Sequence, residues 1–339
     1  MQNEIVKSSN LLNPQGELVQ YGWARDMILD YHRKDITAAA FKIKEWDYYA
    51  VLSDDKGISF TISDMGYIGF VAATVFDFSS ALEISNSVTT ILPLGGFKMP
   101  ESSKHGDVVY QNNDISLRFI RKDHSRVLGI DWKNFQPGHD LKGQVELTQP
   151  DDESLLIATP FAKSPRSFYY NHKINCMPAQ GRFTLGERKL EFSQESAFGV
   201  LDWGRGVWTY SNTWYWGSAS GMVGGQRFGL NIGYGFGDTS AASENIIFLN
   251  GHGHKLDAVN FHIPEDDFLK RWQFSSNDGR LDLDFAPLLD RYSNTNLLLV
   301  QSWQHQVFGR FSGQVILDDG TVLQIKNLIG FAEKVKNRW

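Results

Sequence analysis

The sequence predicts an all-β protein built from two barrel-like antiparallel domains in tandem. Short segments rich in β-branched and aromatic residues recur along the chain, as at residues 48–52, 58–62 and 68–76. Turn sequences separate them, such as NDG at 277–279 and DDG at 318–320, in which Gly, Asn and Asp accept the positive φ of tight hairpins at little cost. Amphipathic helical periodicity is scarce, which argues against an alternating α/β architecture.

Two domains follow from the length of the chain. Its 339 residues exceed the roughly 100–200 residues that are typical of one domain. The segment PFAKSPR at 160–166 carries two prolines and marks the middle of the chain. We therefore expect an N-terminal domain over residues 1–170 and a C-terminal domain over residues 171–339, with most of the candidate site in the second.

The composition of the chain indicates which partners and which cellular location to expect. The formal net charge is −6, with 33 Lys and Arg against 39 Asp and Glu, so a basic face for nucleic acid is not expected. No apolar run reaches the length of about 18 residues that spans a membrane, and the polar N-terminus lacks the apolar core of a signal peptide. A single cysteine, Cys176, excludes an intrachain disulfide and favours a cytosolic location.

Large amphipathic rings and charged groups are concentrated between residues 201 and 245. Four of the ten tryptophans lie between Trp203 and Trp216. A pocket that holds an apolar or sugar-like ligand and directs a few polar groups at it needs this composition, so we predict a small-molecule site here. The residues expected to bind the ligand, in this segment and further along the chain, are Arg205, Trp203, Trp208, Trp214, Trp216, Tyr234, Asp238, His254, Lys255 and Glu333.

Asp202 and Glu244 are the predicted catalytic groups. A carboxyl group in a water-poor pocket acts as a general acid or base, and two together serve hydration, dehydration, isomerisation or glycoside cleavage. The glycines of DWGRG at 202–206 permit a turn that pairs Asp202 with Arg205. That pair is either a structural ion pair or a device that sets the protonation of Asp202. Glu333 either faces the pocket or pairs with an arginine such as Arg205.

Glycine alternates with large apolar residues in GLNIGYGFG at 229–237. Because successive side chains of a strand point to opposite faces, one face of this strand carries almost no side-chain volume. The bare face either allows a second sheet to approach closely or keeps a lumen open for a ligand. His252 and His254 have the spacing of metal ligands, but no third ligand can be identified in the sequence, so no metal is predicted.

Several segments match one bacterial family over nearly the whole chain. They are residues 46–49, 66–67, 168–173, 178–181, 201–208, 214–217, 229–237, 244–245, 254–257, 280–283, 307–313, 330–333 and 338–339. On these segments the chain resembles the family named domain of unknown function 2804. This resemblance implies no established activity and adds no chemistry to the residues above.

A more remote resemblance rests on Asp202-Trp203, an acidic residue beside tryptophan in the middle of the chain. With the two β units and the aromatic pocket, it is similar to lipocalin-like tandem-barrel proteins of the hydroxyneurosporene synthase (carotenoid hydratase) type, tocopherol cyclase and fungal hydratases. The resemblance implies two lipocalin-like barrels and a proton-driven addition of water or cyclisation on a largely apolar substrate. The histidine–acid pair of some of these enzymes has no counterpart beside Asp202.

These observations lead to one leading hypothesis and two alternatives. The leading hypothesis is a cofactor-free enzyme of the hydro-lyase, isomerase or cyclase type, in which carboxyl groups provide acid and base. The first alternative is a non-catalytic carrier of a lipid-like ligand, for which charges should lie at the rim of a dry lumen. The second is a glycoside-active enzyme, for which an open groove should combine a flat tryptophan platform with two carboxylates.

Overall fold

The computed structural model describes residues 2–297 and 300–338 and confirms the predicted all-β fold. Strands make up 65% of the chain and helix 2%, the latter in two 3-10 turns at Arg33–Asp35 and Ala40–Lys42. Within the described part of the chain, no helix has the length and apolar character needed to cross a lipid bilayer. The strands form two curled antiparallel sheets, each a half-barrel, and a two-stranded parallel ribbon.

The first fifteen strands belong to the N-terminal sheet and the ribbon. They are β1 (Ser9–Asn10), β2 (Gly22–Ala24), β3 (Leu29–Asp30), β4 (Ile43–Leu52), β5 (Lys56–Asp64), β6 (Ile68–Asp77), β7 (Leu82–Ile91), β8 (Val108–Gln111), β9 (Ile115–Lys122), β10 (Ser125–Gln136), β11 (His139–Thr148), β12 (Leu155–Phe161), β13 (Ser164–Leu185), β14 (Arg188–Phe192) and β15 (Phe198–Val207). The sheet has the order β7-β6-β5-β4-β15-β13-β11-β10-β9-β8, while β12 and β14 also pair with β13, and β2 pairs with β12. Strands β1 and β3 form the ribbon.

The remaining nine strands form the C-terminal sheet. They are β16 (Ser211–Val223), β17 (Gln226–Tyr234), β18 (Ile246–Leu249), β19 (His252–Lys255), β20 (Val259–His262), β21 (Trp272–Ser276), β22 (Leu281–Leu297), β23 (Val300–Ile316) and β24 (Val322–Arg338). Their order is β19-β18-β17-β16-β24-β23-β22-β21-β20. Nearly every connection is a hairpin, which explains why turn signals are so frequent in the sequence.

Strand β4 is buried on both of its faces. Tyr49 and Val51 point into the core of the N-terminal half-barrel. Tyr48, Ala50 and Leu52 point the other way, into an apolar layer that they share with residues of the C-terminal sheet. A strand covered on both sides needs continuous rather than alternating apolar residues, and the second half of β4, Tyr48–Leu52, provides them. The two half-barrels therefore pack face to face across β4 and β15.

The division between the sheets differs from the boundary expected at residue 170. That position lies inside β13, and the chain passes from the first sheet to the second between Val207 and Ser211. The proline-containing segment at 160–166 is not a linker but the hairpin between β12 and β13, where Phe161 pairs with Ser164. The N-terminal sheet thus includes residues 171–207, among them Asp202.

The glycine-rich strand is shorter than expected, because β17 ends at Tyr234. Gly235 and Gly237 follow it with φ values of +90° and +72°, which an L-residue adopts only with strain. An ideal Cβ at Gly229 would lie 2.3 Å from Sγ of Cys176 on β13. At this glycine the bare face therefore serves close approach of the two sheets rather than an open lumen.

Candidate functional site

The candidate site contains an ion pair between two neighbouring strands. Lys173 on β13 lies opposite Asp202 on β15 in the strand register, and its Nζ is 2.9 Å from Asp202 Oδ1. Asn171 lies two residues earlier on β13, hence on the same face, and its Nδ2 donates to Asp202 Oδ1 over 2.5 Å. The ammonium of Lys173 also lies over the ring of Trp216, 4.0 Å from its centroid. Asp202 is thus held by a cation and an amide.

Glu244 adds a second carboxyl group from the loop between β17 and β18. The hydroxyl of Tyr169, on the same face of β13 as Lys173, donates to Glu244 Oε1 over 2.7 Å. Space for the carboxyl group comes from Gly233, where a Cβ would lie 2.7 Å from Glu244 Oε2. Burial raises the pKa of Glu244, and the charge of Lys173 partly opposes this.

Glu333 on β24 is the third carboxyl group. Trp214 Nε1 donates to its Oε1 over 3.0 Å, and Gln306 Nε2 donates to its Oε2 over 3.1 Å. The amide of Gln306 is oriented by Arg291, whose guanidinium donates to Gln306 Oε1 over 3.2 Å. Burial raises the pKa of Glu333 to about 7, although the bond from Trp214 and the charge of Lys173 lower it. Glu333 therefore titrates near neutral pH.

The charge of Lys173 acts on all three carboxyl groups, although its ion pair is with Asp202. Burial raises the pKa of both Glu244 and Glu333; Lys173 opposes the rise and Asp202 adds to it. Each acid keeps only a small accessible surface, 8% for Asp202, 7% for Glu244 and 5% for Glu333. Lys255 also favours the ionised form of Glu244, but burial outweighs both lysines, so Glu244 and Glu333 retain a proton more readily than exposed carboxyl groups do. We call Lys173, Asp202, Glu244 and Glu333 the acid cluster.

Partly exposed aromatic rings lie beside the acid cluster. Trp46 stacks on Tyr169 with centroids 6.2 Å apart and meets Trp208 edge to face at 5.1 Å. Trp208 in turn meets Trp214 at 6.2 Å. Because Tyr169 and Trp214 also hold Glu244 and Glu333, the polar ends of these rings touch the acids while their apolar surfaces face away. An apolar ligand that reached the acids would lie among these rings.

Gly204 allows Trp46 to take this position, and its replacement tests the arrangement. An ideal Cβ at Gly204 would lie 1.9 Å from Cζ2 of Trp46, so Gly204→Ala must displace the indole. We expect a loss of about 1–3 kcal/mol in the free energy of unfolding, with a changed tryptophan emission spectrum. Gly129→Ala, whose Cβ would meet nothing closer than Arg118 Nη2 at 3.5 Å, is the control and should change neither. Equal effects of both substitutions would contradict the packing of Trp46 on Gly204.

The predicted pairing of Asp202 with Arg205 is wrong. Both residues lie in the unbroken strand β15, where positions three apart point to opposite faces. Arg205 is fully buried, with Nη2 3.1 Å from Asp47 Oδ1 and Nε 3.9 Å from Glu45 Oε1. Glu333 does not pair with Arg205 either, since its partners are Trp214 and Gln306.

Trp203 shares the face of Arg205 and is equally remote from the acids. It is fully buried in the core of the N-terminal half-barrel, perpendicular to Tyr31 and Tyr170. The guanidinium carbon of Arg205 lies 4.1 Å from its ring centroid. Packing against these partners leaves neither side chain directed at a ligand in the acid cluster.

Four other candidate residues lie around the site rather than in it. Tyr234 stacks on Tyr215 inside the C-terminal half-barrel at 4.5 Å. Asp238 accepts a bond from the backbone amide of Ser240 in a turn, and His254 Nδ1 is 3.3 Å from Asp318 Oδ2. Lys255 Nζ donates to Ser243 Oγ and to the carbonyl oxygens of Asn245 and Leu256, and burial lowers its pKa to about 7.

Sequence reasoning did not single out Lys173, Asn171, Tyr169, Gln306 or Trp46. A signal for three of them exists, because residues 169, 171 and 173 alternate along one strand and place three polar groups on one face. Gln306 and Trp46 carry no comparable signal, since only the pairing of distant strands brings them to the acids. Among residues 2–297 and 300–338, no three His, Cys, Asp or Glu side chains are grouped to hold a metal ion.

Fold and site together define a tandem half-barrel protein with a buried acid cluster between its two sheets. The chain belongs to the family described as domain of unknown function 2804 (DUF2804), whose family model matches residues 2–339. This match confirms the resemblance seen in the sequence segments. No curated protein gives a significant sequence match.

Solved structures with the same architecture are distant in sequence. CghA with Sch210972 aligns with a TM-score of 0.55 and 12% identity, covering 88% of this chain and 89% of that chain. A putative AttH from Nitrosomonas europaea gives 0.53 and 12%, covering 89% and 95%. Kievitone hydratase from Nectria haematococca gives 0.51 and 9%, covering 87% and 88%. At these identities the likeness shows the fold alone.

Proposed function

We propose that this protein is a cofactor-free enzyme that transfers protons to and from a largely apolar small molecule, as a hydro-lyase, isomerase or cyclase. The observation that carries the proposal is the acid cluster, in which the charge of Lys173 acts on three buried carboxyl groups beside aromatic rings. Structural ion pairs match charges, whereas this cluster holds an excess of acid in a water-poor place. Such an excess supplies a proton donor and a base together.

Glu333 is the proposed general acid. With its pKa raised to about 7 by burial, it carries a proton through much of the neutral range and gives it up readily, which suits proton donation. Asp202, held by Lys173 and Asn171, is the proposed base or charge stabiliser. Glu244 stands as the alternative base, since Tyr169 fixes one of its oxygens and leaves the other against Gly233.

In the hydration direction, Glu333 transfers its proton to one carbon of a C=C bond. The positive charge that develops on the other carbon is stabilised by the nearby carboxylates and aromatic rings. Water then attacks that carbon and gives a proton to Asp202 or Glu244, and proton exchange returns Glu333 to its acid form. Dehydration is the reverse, and isomerisation or cyclisation replaces the water with a base or an internal nucleophile.

The comparisons support this proposal at the level of the fold. A hydratase, by its name, is among the proteins that share the architecture, and another was crystallised with the small molecule Sch210972. Neither similarity carries residues across at 9% and 12% identity. The chemistry proposed for this chain therefore rests on its own acids. We also propose a cytosolic location, which the single cysteine in the sequence favours.

The two alternatives fit the geometry less well. A carrier should keep charges at the rim, but Asp202, Glu244 and Glu333 are all more than nine-tenths buried. A glycoside-active enzyme should offer a flat tryptophan platform in an open groove. The indoles of Trp46 and Trp208 instead meet at 73°, and those of Trp208 and Trp214 at 63°, so they form a folded cluster.

Incubation in D2O tests the proposal before the substrate is known. Alkenes and allylic alcohols with aromatic or isoprenoid groups would be screened by mass spectrometry for gain of water, loss of water or uptake of carbon-bound deuterium. For any compound that reacts, we expect Glu333→Gln and Asp202→Asn to lower turnover by about 100-fold or more. Glu146→Gln, at an exposed glutamate on β11, is the control and should keep full activity.

Two outcomes would count against the enzyme. Full activity in both carboxyl variants would mean that neither Glu333 nor Asp202 takes part in the reaction. Tight binding of a ligand with no deuterium uptake, equal in the wild type and in Glu333→Gln, would favour the carrier instead.

A further inference from the structure

Phe236 fills the centre of the aromatic cluster beside the acids. Its ring lies close to four other rings, at centroid distances of 4.7 Å to Tyr169 and Trp208, 5.3 Å to Trp214 and 5.5 Å to Phe161. The angles between ring planes run from 76° to 86°, so all four contacts are edge to face. The surroundings of the Phe236 ring therefore resemble those of an aromatic ligand bound in an aromatic pocket.

Two of the rings around Phe236 are hydrogen-bonded to carboxyl groups of the acid cluster. Tyr169 donates its hydroxyl to Glu244, and Trp214 donates its indole N–H to Glu333. Tyr169 and Trp214 thus each contact both the ring of Phe236 and one of the two carboxyl groups. A cavity of about 320 Å³ near the end of the β22–β23 hairpin is lined by Trp303, Lys336 and other residues, but by none of the acids. Phe236 instead fills the space beside Tyr169 and Trp214, the two rings that contact the acids.

The backbone around Phe236 belongs to a loop rather than to a strand. It follows the end of β17 at Tyr234 and is flanked by Gly235 and Gly237, both in the left-handed region. Backbone bonds tie the loop to Pro160, whose carbonyl accepts from the Asp238 amide, and to Asn3, whose amide donates to Ala241. Phe236 lies outside the paired strands, so a movement of this loop would displace its ring without breaking a sheet.

We propose that Phe236 occupies the position of the substrate's ring, and that the substrate is a small molecule whose flat aromatic ring displaces Phe236 and whose proton-accepting group faces Glu244 and Glu333. The reaction at that group rests on the proposed function, whereas the ring site does not. The chemistry of the ligand follows from its surroundings. Four edge-to-face rings select a flat ring, and an excess of carboxyl groups over cations favours a basic or proton-accepting substituent.

Removing the ring of Phe236 tests the site with simple probes. Phe236→Ala should create a cavity of about phenyl size, which benzylamine fills with its ring while its ammonium group reaches the carboxyl groups. We expect benzylamine to bind this variant at least about 10-fold more tightly than toluene, as measured by calorimetry and thermal shift. Adding Glu333→Gln should lower the benzylamine affinity about 10-fold and leave toluene unaffected.

Phe311→Ala is the matched control. Phe311 is fully buried in the core of the C-terminal half-barrel, packed on Phe274 and Phe285 and away from the acids. Its cavity should accept toluene and reject benzylamine, because an ammonium group there would be buried without a partner. If Phe236→Ala binds neither probe, or prefers toluene as the control does, the ring site is overturned. If that variant fails to fold, Phe236→Leu takes its place, because it removes the ring but keeps an apolar side chain.

The two proposals fail separately. Benzylamine selectivity without turnover of any alkene or alcohol in D2O would keep the ring site and remove the proposed reaction. Turnover that depends on Glu333, without benzylamine selectivity in Phe236→Ala, would support the proposed reaction. It would also mean that the substrate does not bind at the position of Phe236.

Discussion

Replacing Lys173 with methionine is expected to lower the free energy of unfolding by about 3–5 kcal/mol at pH 8. The Nζ of Lys173 is 2.9 Å from Asp202 Oδ1, and its charge also favours the ionised forms of Glu244 and Glu333. Methionine keeps the length and apolar surface of the side chain but removes the charge, so the acids are left to repel one another in a place that water hardly reaches. Urea unfolding of the wild type and the variant measures the loss.

The loss should shrink on acidification, because protonation removes the charges that Lys173 compensates. Burial raises the pKa of Glu333 to about 7, so this acid becomes neutral as the pH falls from 8 to 5, and the raised pKa of Glu244 acts in the same direction. Lys142→Met is the control: Lys142 lies on the surface, 3.0 Å from Asp140, and should change stability at neither pH. A loss equally large at pH 5 would mean that packing rather than charge explains the effect.

Glu333 is expected to make the protein less stable as the pH rises through neutrality. Its pKa in the folded protein is about 7, above the ordinary value of 4.5, because burial disfavours the ionised form. The contribution of its proton to stability is complete below about pH 4.5 and disappears as the pH rises through about 7. The shift corresponds to roughly 3 kcal/mol across that window.

The variant Glu333→Gln isolates this contribution, since glutamine does not titrate. Between pH 4.5 and pH 8 the variant should gain about 3 kcal/mol relative to the wild type in the free energy of unfolding. Glutamine also presents an N–H to Trp214 or Gln306, both donors, and the cost of that contact does not depend on pH. A difference that stays constant with pH would contradict the raised pKa. Carboxyl ¹³C shifts of labelled protein give an independent titration of Glu333.

The fold class was predictable because its signals are local. Strand composition and turn sequences such as NDG at 277–279 act over a few residues, and each corresponds to a hairpin in the structure. The boundary near residue 170 was less accessible, because prolines mark a tight hairpin as readily as a linker. Only the pairing of Phe161 with Ser164 distinguishes the two.

The sequence pointed to the region of the candidate site and to all three of its acids, but not to the partners of these acids. Aromatic density drew attention to Asp202 and Glu244; in the structure Lys173 pairs with Asp202, and its charge acts on Glu244. The glycines beside Arg205 were interpreted as a turn, whereas Gly204 makes room for Trp46 and the strand continues. Ion pairs across strands depend on register between distant segments, which one sequence does not reveal.

The double-sided burial of β4 ties the two half-barrels together through a shared apolar layer. An excised N-terminal half would expose Tyr48, Ala50 and Leu52 to water as an apolar surface patch. Such patches promote self-association. A nascent chain passes through the same stage, since its first sheet is complete before its second exists. We therefore expect a gene that encodes only one half to yield an aggregation-prone protein. For the same reason, we expect related proteins to contain both halves.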